Sequence, residues 1–286
     1  MSEGFDPAAH REASLSNWEA AAAGWSRNAE LVRAWLAPVS HWMVEAVALQ
    51  PGERVLELAA GLGETGLLAA ELVAPGGGVL ISDQAEAMLD GARARANELG
   101  IANVEFKVLN AEWIDLPLAS VDAVLCRFGY MLMTDAGAAL AETRRVLRPG
   151  AGRLALAVWD AVEANPWFGL FAAELRERSE EPAGGAAGPG PFSMSSPEAV
   201  VSALEDAGFT VERLEALELT RRHASFEELW DVQLDMSRML HDAVLSRPEG
   251  EIEEICSSLR ERFAPFTAPD GTLEIPGRVL LARADA

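Results

Sequence analysis

Five short apolar runs recur between Arg54 and Trp159, and the segments between them carry apolar residues at helical spacing. The runs begin near Arg54, Gly78, Val104, Val121 and Gly152. Val55, Leu56 and Leu58, then Val79, Leu80 and Ile81, then Leu154, Leu156 and Val158 form nearly unbroken stretches, the pattern of strands covered on both faces. Met88, Ala92, Ala96 and Leu99 share one face of a helix that stops at Gly100, and a helix from Asp135 to Leu147 ends before Pro149-Gly150. Strand and helix in alternation predict a parallel sheet with helices on both sides.

Outside this region the pattern changes. Residues 15–49 read as one or two helices with four tryptophans, Trp18, Trp25, Trp35 and Trp42, and residues 166–180 read as another helix. Glu180 to Pro191 is a Gly/Pro/Ala-rich stretch that reads as a mobile loop. A helix over 197–207, a strand over Thr210–Leu219, two helices over 226–263 and a closing strand over Leu273–Arg283 follow. No internal repeat is present. The expected organisation is one domain, 1–286, with a ligand-binding core at 50–160, 197–222 and 273–284. Helical cap segments at 15–49, 161–192 and 225–265 complete it.

A chain of 286 residues, half of them hydrophobic, can bury a sizeable core. No run of 18 residues lacks charges or breaks, so no membrane insertion is expected, and the first 30 residues show no basic-then-apolar leader pattern. A cytoplasmic location is therefore expected, with Cys126 and Cys256 as reduced thiols. The net charge is −22, and Lys107 is the only lysine beside 22 arginines. Such a field repels a polyanion, so nucleic acid is not an expected partner.

The stretch that narrows the chemistry is Arg54-Val-Leu-Glu57-Leu-Ala-Ala-Gly61-Leu-Gly63-Glu-Thr-Gly66, a strand running through a glycine-rich turn into a helix. Gly61 and Gly63 let the backbone pass close to a ligand, and the helix N-terminus presents free N–H groups to it. Asp83 closes the next strand 22 residues after Gly61, placed to bind a ribose diol as in nucleotide-binding α/β folds. The glycine spacing also fits a dinucleotide fingerprint. Glu57, however, would repel a pyrophosphate, whereas it would attract the ammonium and sulfonium of an amino-acid-bearing ligand.

An acid, three residues and then Gly-x-Gly resembles the first motif of class I S-adenosylmethionine-dependent methyltransferases. The resemblance runs on in order. Ile81-Ser82-Asp83-Gln84-Ala85-Glu86-Ala87-Met88-Leu89 is similar to the second motif, and Asn110-Ala111-Glu112 to the Asp-Ala-Glu segment after the third strand. Val121–Leu125 is similar to the fourth strand, and Arg145-Val-Leu-Arg-Pro-Gly150 with Arg153–Trp159 to the turn and fifth strand. The nearest branch holds ubiquinone and menaquinone C-methyltransferases and natural-product enzymes. The resemblance implies a doubly wound, Rossmann-like seven-stranded sheet with the last strand antiparallel and helical insertions over the active site. It implies S-adenosyl-L-methionine as cofactor, held by Glu57, Gly61, Gly63, Asp83, Gln84, Met88, Asn110, Ala111, Glu112 and Arg127, with Trp25 as an N-terminal aromatic against it. Asn110 replaces the usual aspartate, so its contact to adenine lacks a charge-assisted bond.

The acceptor side is thinner. Cys126, Arg127 and Phe128 end the fourth strand near the expected methyl position, and Tyr130, the only tyrosine, follows as a group that could position an acceptor. Many relatives carry a His-His pair there; this chain has Met131-Leu132. His223 and His241 are the alternative bases, and Asp160 and Asn165 candidate pocket residues. Asn165-Pro166-Trp167 is superficially similar to the motif of amino-group methyltransferases, but it lacks the second proline and follows the wrong strand. The expected activity is methyl transfer to an oxygen or carbon of a small, fairly apolar acceptor. A nicotinamide-dependent reductase and a non-catalytic cofactor-binding protein remain as alternatives. The Tyr-x-x-x-Lys proton donor of many reductases cannot form, because Tyr130 follows Lys107. A homodimer is compatible with the sequence.

Overall fold

A computed structural model describes residues 5–178 and 188–286. In chain order the described elements are α1 (Pro7–Arg27), α2 (Ala29–Ala46), β1 (Arg54–Glu57), α3 (Glu64–Val73), β2 (Gly78–Asp83), α4 (Glu86–Leu99), β3 (Val104–Val108) and β4 (Ala123–Arg127). Next come α5 (Ala136–Val146), β5 (Arg153–Trp159), α6 (Pro166–Glu177), α7 (Pro197–Asp206), β6 (Thr210–His223), α8 (Phe226–Met236), α9 (Arg238–Leu245), α10 (Glu249–Phe263) and β7 (Leu273–Asp285). The glycine-rich loop expected over Glu180–Pro191 falls largely outside the described residues.

The seven strands form one sheet in the order β3-β2-β1-β4-β5-β7-β6. The apolar runs of β1 to β5 pair in parallel, and β7 enters antiparallel between β5 and β6. From Leu154 to Trp159 every residue of β5 is buried, as an unbroken apolar run requires when helices cover both faces. The order reverses between β1 and β4, which opens a crevice at the C-terminal ends of those strands.

β6 is longer than the sequence pattern indicates, reaching His223 rather than Leu219. Trp159, the end of β5, pairs with Val279, whereas β7 begins at Leu273 opposite His223. The β6–β7 ribbon therefore projects past the C-terminal edge of the sheet. Arg221 pairs with Ile275, four residues beyond Val279, or about 13 Å along a strand. The polar residues along β6 hid this extension, because its outer half alternates instead of forming an apolar run. The region 226–263 likewise holds three helices rather than two. Ser237 accepts from the Leu240 N–H and starts α9, and Pro248 precedes α10.

α1 starts earlier than expected, at Pro7, capped by the Asp6 carboxylate on the Ala8 and Ala9 N–H groups. It lies as a strap over the crevice and is fastened at both ends. Arg11 forms a two-pronged pair with Glu112 beyond β3, and Trp25 Nε1 donates to the Met236 carbonyl at 3.0 Å. Between them the Glu19 carboxylate accepts from the Glu86 and Ala87 N–H groups, supplying the side-chain cap that α4 itself lacks.

The strap crosses α8 at Gly24, where a Cβ would lie 1.9 Å from the Asp235 carbonyl oxygen. Gly24→Ala is therefore expected to push α1 off α8 and cost about 1–3 kcal/mol, the usual scale for overpacking. Urea unfolding of the two proteins measures this, and equal midpoints would show that the crossing has slack.

Candidate active site

The turn after β1 is a sequence of left-handed residues, Ala59 at φ 50°, Gly61 at 55° and Gly63 at 74°. Only glycine takes that region without strain. The turn is pinned to its surroundings by backbone bonds, Ala60 N–H to the Ser82 carbonyl and Gly63 N–H to the Ala60 carbonyl. Gly63 then opens α3, so the helix N-terminus faces the crevice. The third glycine of the pattern has a different task. A Cβ on Gly66 would lie 2.3 Å from Glu57 Oε2, so the first turn of α3 sits directly on that carboxylate.

Glu57 is 2% exposed, and its Oε2 has no hydrogen-bond partner. Burial pushes its carboxyl up to about 8, against the opposing pull of the Arg127 guanidinium and the Gly66 N–H. Arg127 ends β4 beside it, half-buried, with burial lowering its pKa. It makes no hydrogen bond or ion pair with a described residue. Glu57 and Arg127 are thus electrostatic neighbours at adjacent strand ends, each with hydrogen-bonding capacity unspent among the described residues, a pairing that complements the ammonium and carboxylate of an α-amino acid.

Asp83, at the end of β2, accepts from Gly61 N–H at 2.8 Å and from Ala85 N–H at 2.9 Å. Its carboxyl is raised by burial and held down by those backbone donors. It braces the turn instead of capping α4, whose N-cap residue is Ala85. Gln84 Nε2 reaches Ser14 Oγ of α1 at 3.2 Å. Gln84 and Asn110 line a cleft of about 400 Å³ beneath Arg11 and Leu15 of α1. Asn110 is exposed there, with its Oδ1 accepting from the Glu112 N–H at 2.8 Å, and Ala111 beside it is buried.

Several expected site residues are employed elsewhere. The Glu112 carboxylate is taken by Arg11 and the Thr134 N–H, so it holds the strap and leaves no oxygen for adenine. Met88 is buried with Ala22 and Leu62, where it packs α4 against α1. Trp25 belongs to that same cluster, edge-on to Trp18, with its indole N–H bonded to Met236. It packs over the turn through Leu62 and is itself partly exposed. Tyr130 points into the core, its hydroxyl 2.7 Å from Thr143 Oγ1 of α5, and burial raises it well above the ordinary tyrosine range. It cannot position an acceptor from there.

His223 is buried, and burial together with Arg221 pushes its imidazole down to about 3. A group that weakly basic is no general base at neutral pH. Asn165 is fully used as a staple: its amide donates to the Asp160, Ala161 and Arg278 carbonyls and accepts from Arg278 N–H and Trp167 Nε1. Asp160 is paired with Arg278. His241 lies on α9 beside Asp242, against a separate cleft lined by Asn28 and Asp235.

A methyltransferase-domain family model matches residues 55–150, which span the turn, both acids and β4. The ubiquinone/menaquinone biosynthesis C-methyltransferase UbiE of Xanthomonas campestris is 36% identical over 137 residues, 48% of this chain and 52% of that protein. Residues 55–150 are a class I S-adenosylmethionine-dependent methyltransferase domain. The chain spans about half the length of the curated relatives it matches. Over most of its length the fold recurs in solved structures. One is a Bacillus halodurans protein assigned as a methyltransferase, at 22% identity and TM-score 0.58, covering 86% of this chain and 97% of that one. Another is the [4+2]-cyclase SpnF, at 17% identity and TM-score 0.52, covering 87% and 84%. The methyltransferase cofactor, S-adenosyl-L-methionine, fits the residues present, because the unpaired Glu57 oxygen and Arg127 match the charges of its amino-acid end.

The strap fasteners Arg11 and Glu19 carried no sequence signal, since each reads as a solvated helix residue. Gly66 was legible as the third glycine of the pattern, but its reason, the carboxylate under α3, was not.

Two outcomes follow from these positions. Tyr130→Phe is expected to keep wild-type turnover and lose about 1 kcal/mol of stability, the net worth of one buried hydrogen bond; a large fall in turnover would return Tyr130 to the site. Glu57, with its folded pKa above its unfolded one, binds more protons folded than unfolded between about pH 4.5 and 8. Stability without cofactor should therefore fall with rising pH across that window, by up to about 1.4 kcal/mol per pH unit. Glu57→Gln should flatten that slope in denaturant unfolding, and an unchanged slope would show that another group carries it.

Proposed function

We propose that this protein transfers a methyl group from S-adenosylmethionine to an oxygen or carbon of a small, fairly apolar acceptor. The observation that carries the reading is the buried Glu57 carboxylate, one oxygen unpaired, beneath the glycine turn and beside Arg127. A cationic ligand draws out the ionisation that burial opposes at Glu57, whereas a pyrophosphate gives it no such partner, so the site favours the methyl donor over a dinucleotide. SpnF shares the fold as a [4+2]-cyclase, so the reading rests on the charges of this crevice and on the family of residues 55–150.

In this reading Glu57 holds the ammonium and Arg127 the carboxylate of the donor's amino-acid end. Asp83 accepts from the ribose hydroxyls, exchanging its bond to Gly61 N–H for them. Gln84, Asn110 and Ala111 border the adenine in the cleft under α1. The bound cofactor supplies an electrophilic methyl group on a sulfonium. The protein's contribution is alignment, since proximity and orientation supply roughly 7–11 kcal/mol, whereas a general base supplies about 3–5 kcal/mol. Tyr130 is sealed in the core and His223 is too weakly basic, so the acceptor must be acidic in its own right, as a phenol or an enolisable carbon is. The curated relative named above is a ubiquinone/menaquinone biosynthesis C-methyltransferase, and a quinone-like or phenolic acceptor accords with that chemistry.

Asp83→Ala is expected to weaken S-adenosylmethionine binding at least tenfold by calorimetry, and unchanged affinity would remove the ribose role. Turnover to S-adenosylhomocysteine with phenolic and quinone-like acceptors tests the reaction itself. Binding of NADH in place of S-adenosylmethionine would overturn the proposal.

A further inference from the structure

The part of β6 that overhangs the sheet carries a cluster of buried polar groups with nothing to bond. Arg221 is 2% exposed, and its only hydrogen bond runs from Nη1 to Gln233 Oε1 at 2.8 Å. Its Nε and Nη2 are unpartnered, and it forms no ion pair with a described residue. His223, two residues along the same face, is 3% exposed with both ring nitrogens unpartnered; its nearest acid is Glu228, 3.4 Å from Nδ1. Trp35 adds a third orphan, its indole Nε1 buried without a partner while its ring lies 4.9 Å from the Arg221 guanidinium.

An uncompensated buried guanidinium costs several kcal/mol. In a chain with 45 acidic residues against 23 basic ones, isolation from every described acid is a feature that needs an explanation. Ring contacts to Trp35 and Trp167 offset part of the cost, but they leave the N–H groups unbonded. The unused pair is specific. Nε and Nη2 lie on one edge of the guanidinium, the edge that takes both oxygens of a carboxylate in parallel hydrogen bonds. Trp35 N–H and a neutral His223 supply further donors to the remaining lone pairs.

The position joins this cluster to the transfer site. Phe128, immediately after Arg127, stacks on Trp159 at 4.3 Å, and Trp159 stacks on Trp35 at 5.3 Å. A continuous aromatic wall thus leads from the tip of β4, next to the cofactor turn, to Arg221. We propose that Arg221, with Trp35 and His223, binds a carboxylate carried by the methyl acceptor, whose aromatic body lies along the Phe128–Trp159–Trp35 wall. The proposal rests on the methyltransferase reading for the word acceptor, and names the acceptor class as an aromatic carboxylic acid.

The test uses the full chain, saturated with S-adenosylhomocysteine, and the probes benzoate, benzamide and acetate, with affinity read by calorimetry and tryptophan fluorescence. Benzoate is expected to bind at least tenfold more tightly than benzamide, which lacks the charge, and than acetate, which lacks the ring. Arg221→Met should abolish the preference for benzoate over benzamide, and Arg221→Lys, which keeps the charge without the fork, should reduce it at least threefold. Equal affinity for benzoate and benzamide, or no benzoate binding, overturns the proposal on wild-type protein alone, whatever the variants' folding. Acetate binding as tightly as benzoate would make this a plain anion site and also overturn it. S-adenosylhomocysteine binding in the first step separates the two layers: if it fails, the methyltransferase reading falls; if it holds and the benzoate preference is absent, only the acceptor assignment falls.

Discussion

The structure turns on one unfavourable interaction, a carboxylate buried under a helix N-terminus with half of its hydrogen-bonding capacity unused. Glu57 is kept there by the geometry around it. Gly66 has no Cβ to displace it, and the parallel pairing of β1 with β2 and β4 fixes where the strand ends. Burial resists its ionisation and Arg127 favours it, so in the proposed reading an ammonium placed beside it would offset the cost of that burial. The affinity of such a site comes from strain already present in the free protein, a form of preorganisation. In the proposed reading this single side chain favours a cationic ligand, a choice that the glycines alone leave open.

Two outlying elements complete what the sheet begins. α1 closes the cofactor crevice through polar fasteners, Arg11 to Glu112 and Glu19 to the start of α4, and not through a wide apolar seam. Apart from the small cluster around Leu62 and Met88, its contacts over the crevice are exchangeable for water, as a strap that must admit a ligand requires. At the other end of the edge, the β6–β7 ribbon overhangs the parallel strands and carries its polar residues into the aromatic cap. In the proposed reading the donor is held by backbone and acids, and the acceptor by buried tryptophans and Arg221.

Most of the sheet was legible because its strands are doubly covered and therefore read as apolar runs. Val55–Leu58, Val79–Ile81 and Leu154–Val158 could hardly be anything else. The end of β6 was not legible. Arg221 and His223 are buried polar residues, so the apolar pattern ended the strand at Leu219. The glycine turn after β1 and its brace by Asp83 were legible because these residues answer to backbone geometry, which spacing records. The readings of Tyr130, Glu112 and Met88 failed for a common reason. Spacing places a residue near a strand end but does not say which way its side chain turns, and α5 and α1 offered each of them a nearer partner. Asp160 and Asn165 were likewise claimed by β7, which no local pattern could have brought beside them.

The burial of Tyr130 and His223 and the unpaired guanidinium of Arg221 bear on one chemical constraint in the proposed reading. A site that cannot remove a proton must take an acceptor that gives one up easily, or that is already anionic. A buried arginine favours such an acceptor twice, by attracting its charge and by stabilising it away from water, where Coulomb terms are largest. His223 fits the same logic. Kept neutral beside Arg221, it can donate or accept one hydrogen bond without adding a second positive charge that would repel the sulfonium at the other end of the wall. A charged histidine there would work against the donor, so its low basicity serves the arrangement, and the chemistry is left to alignment.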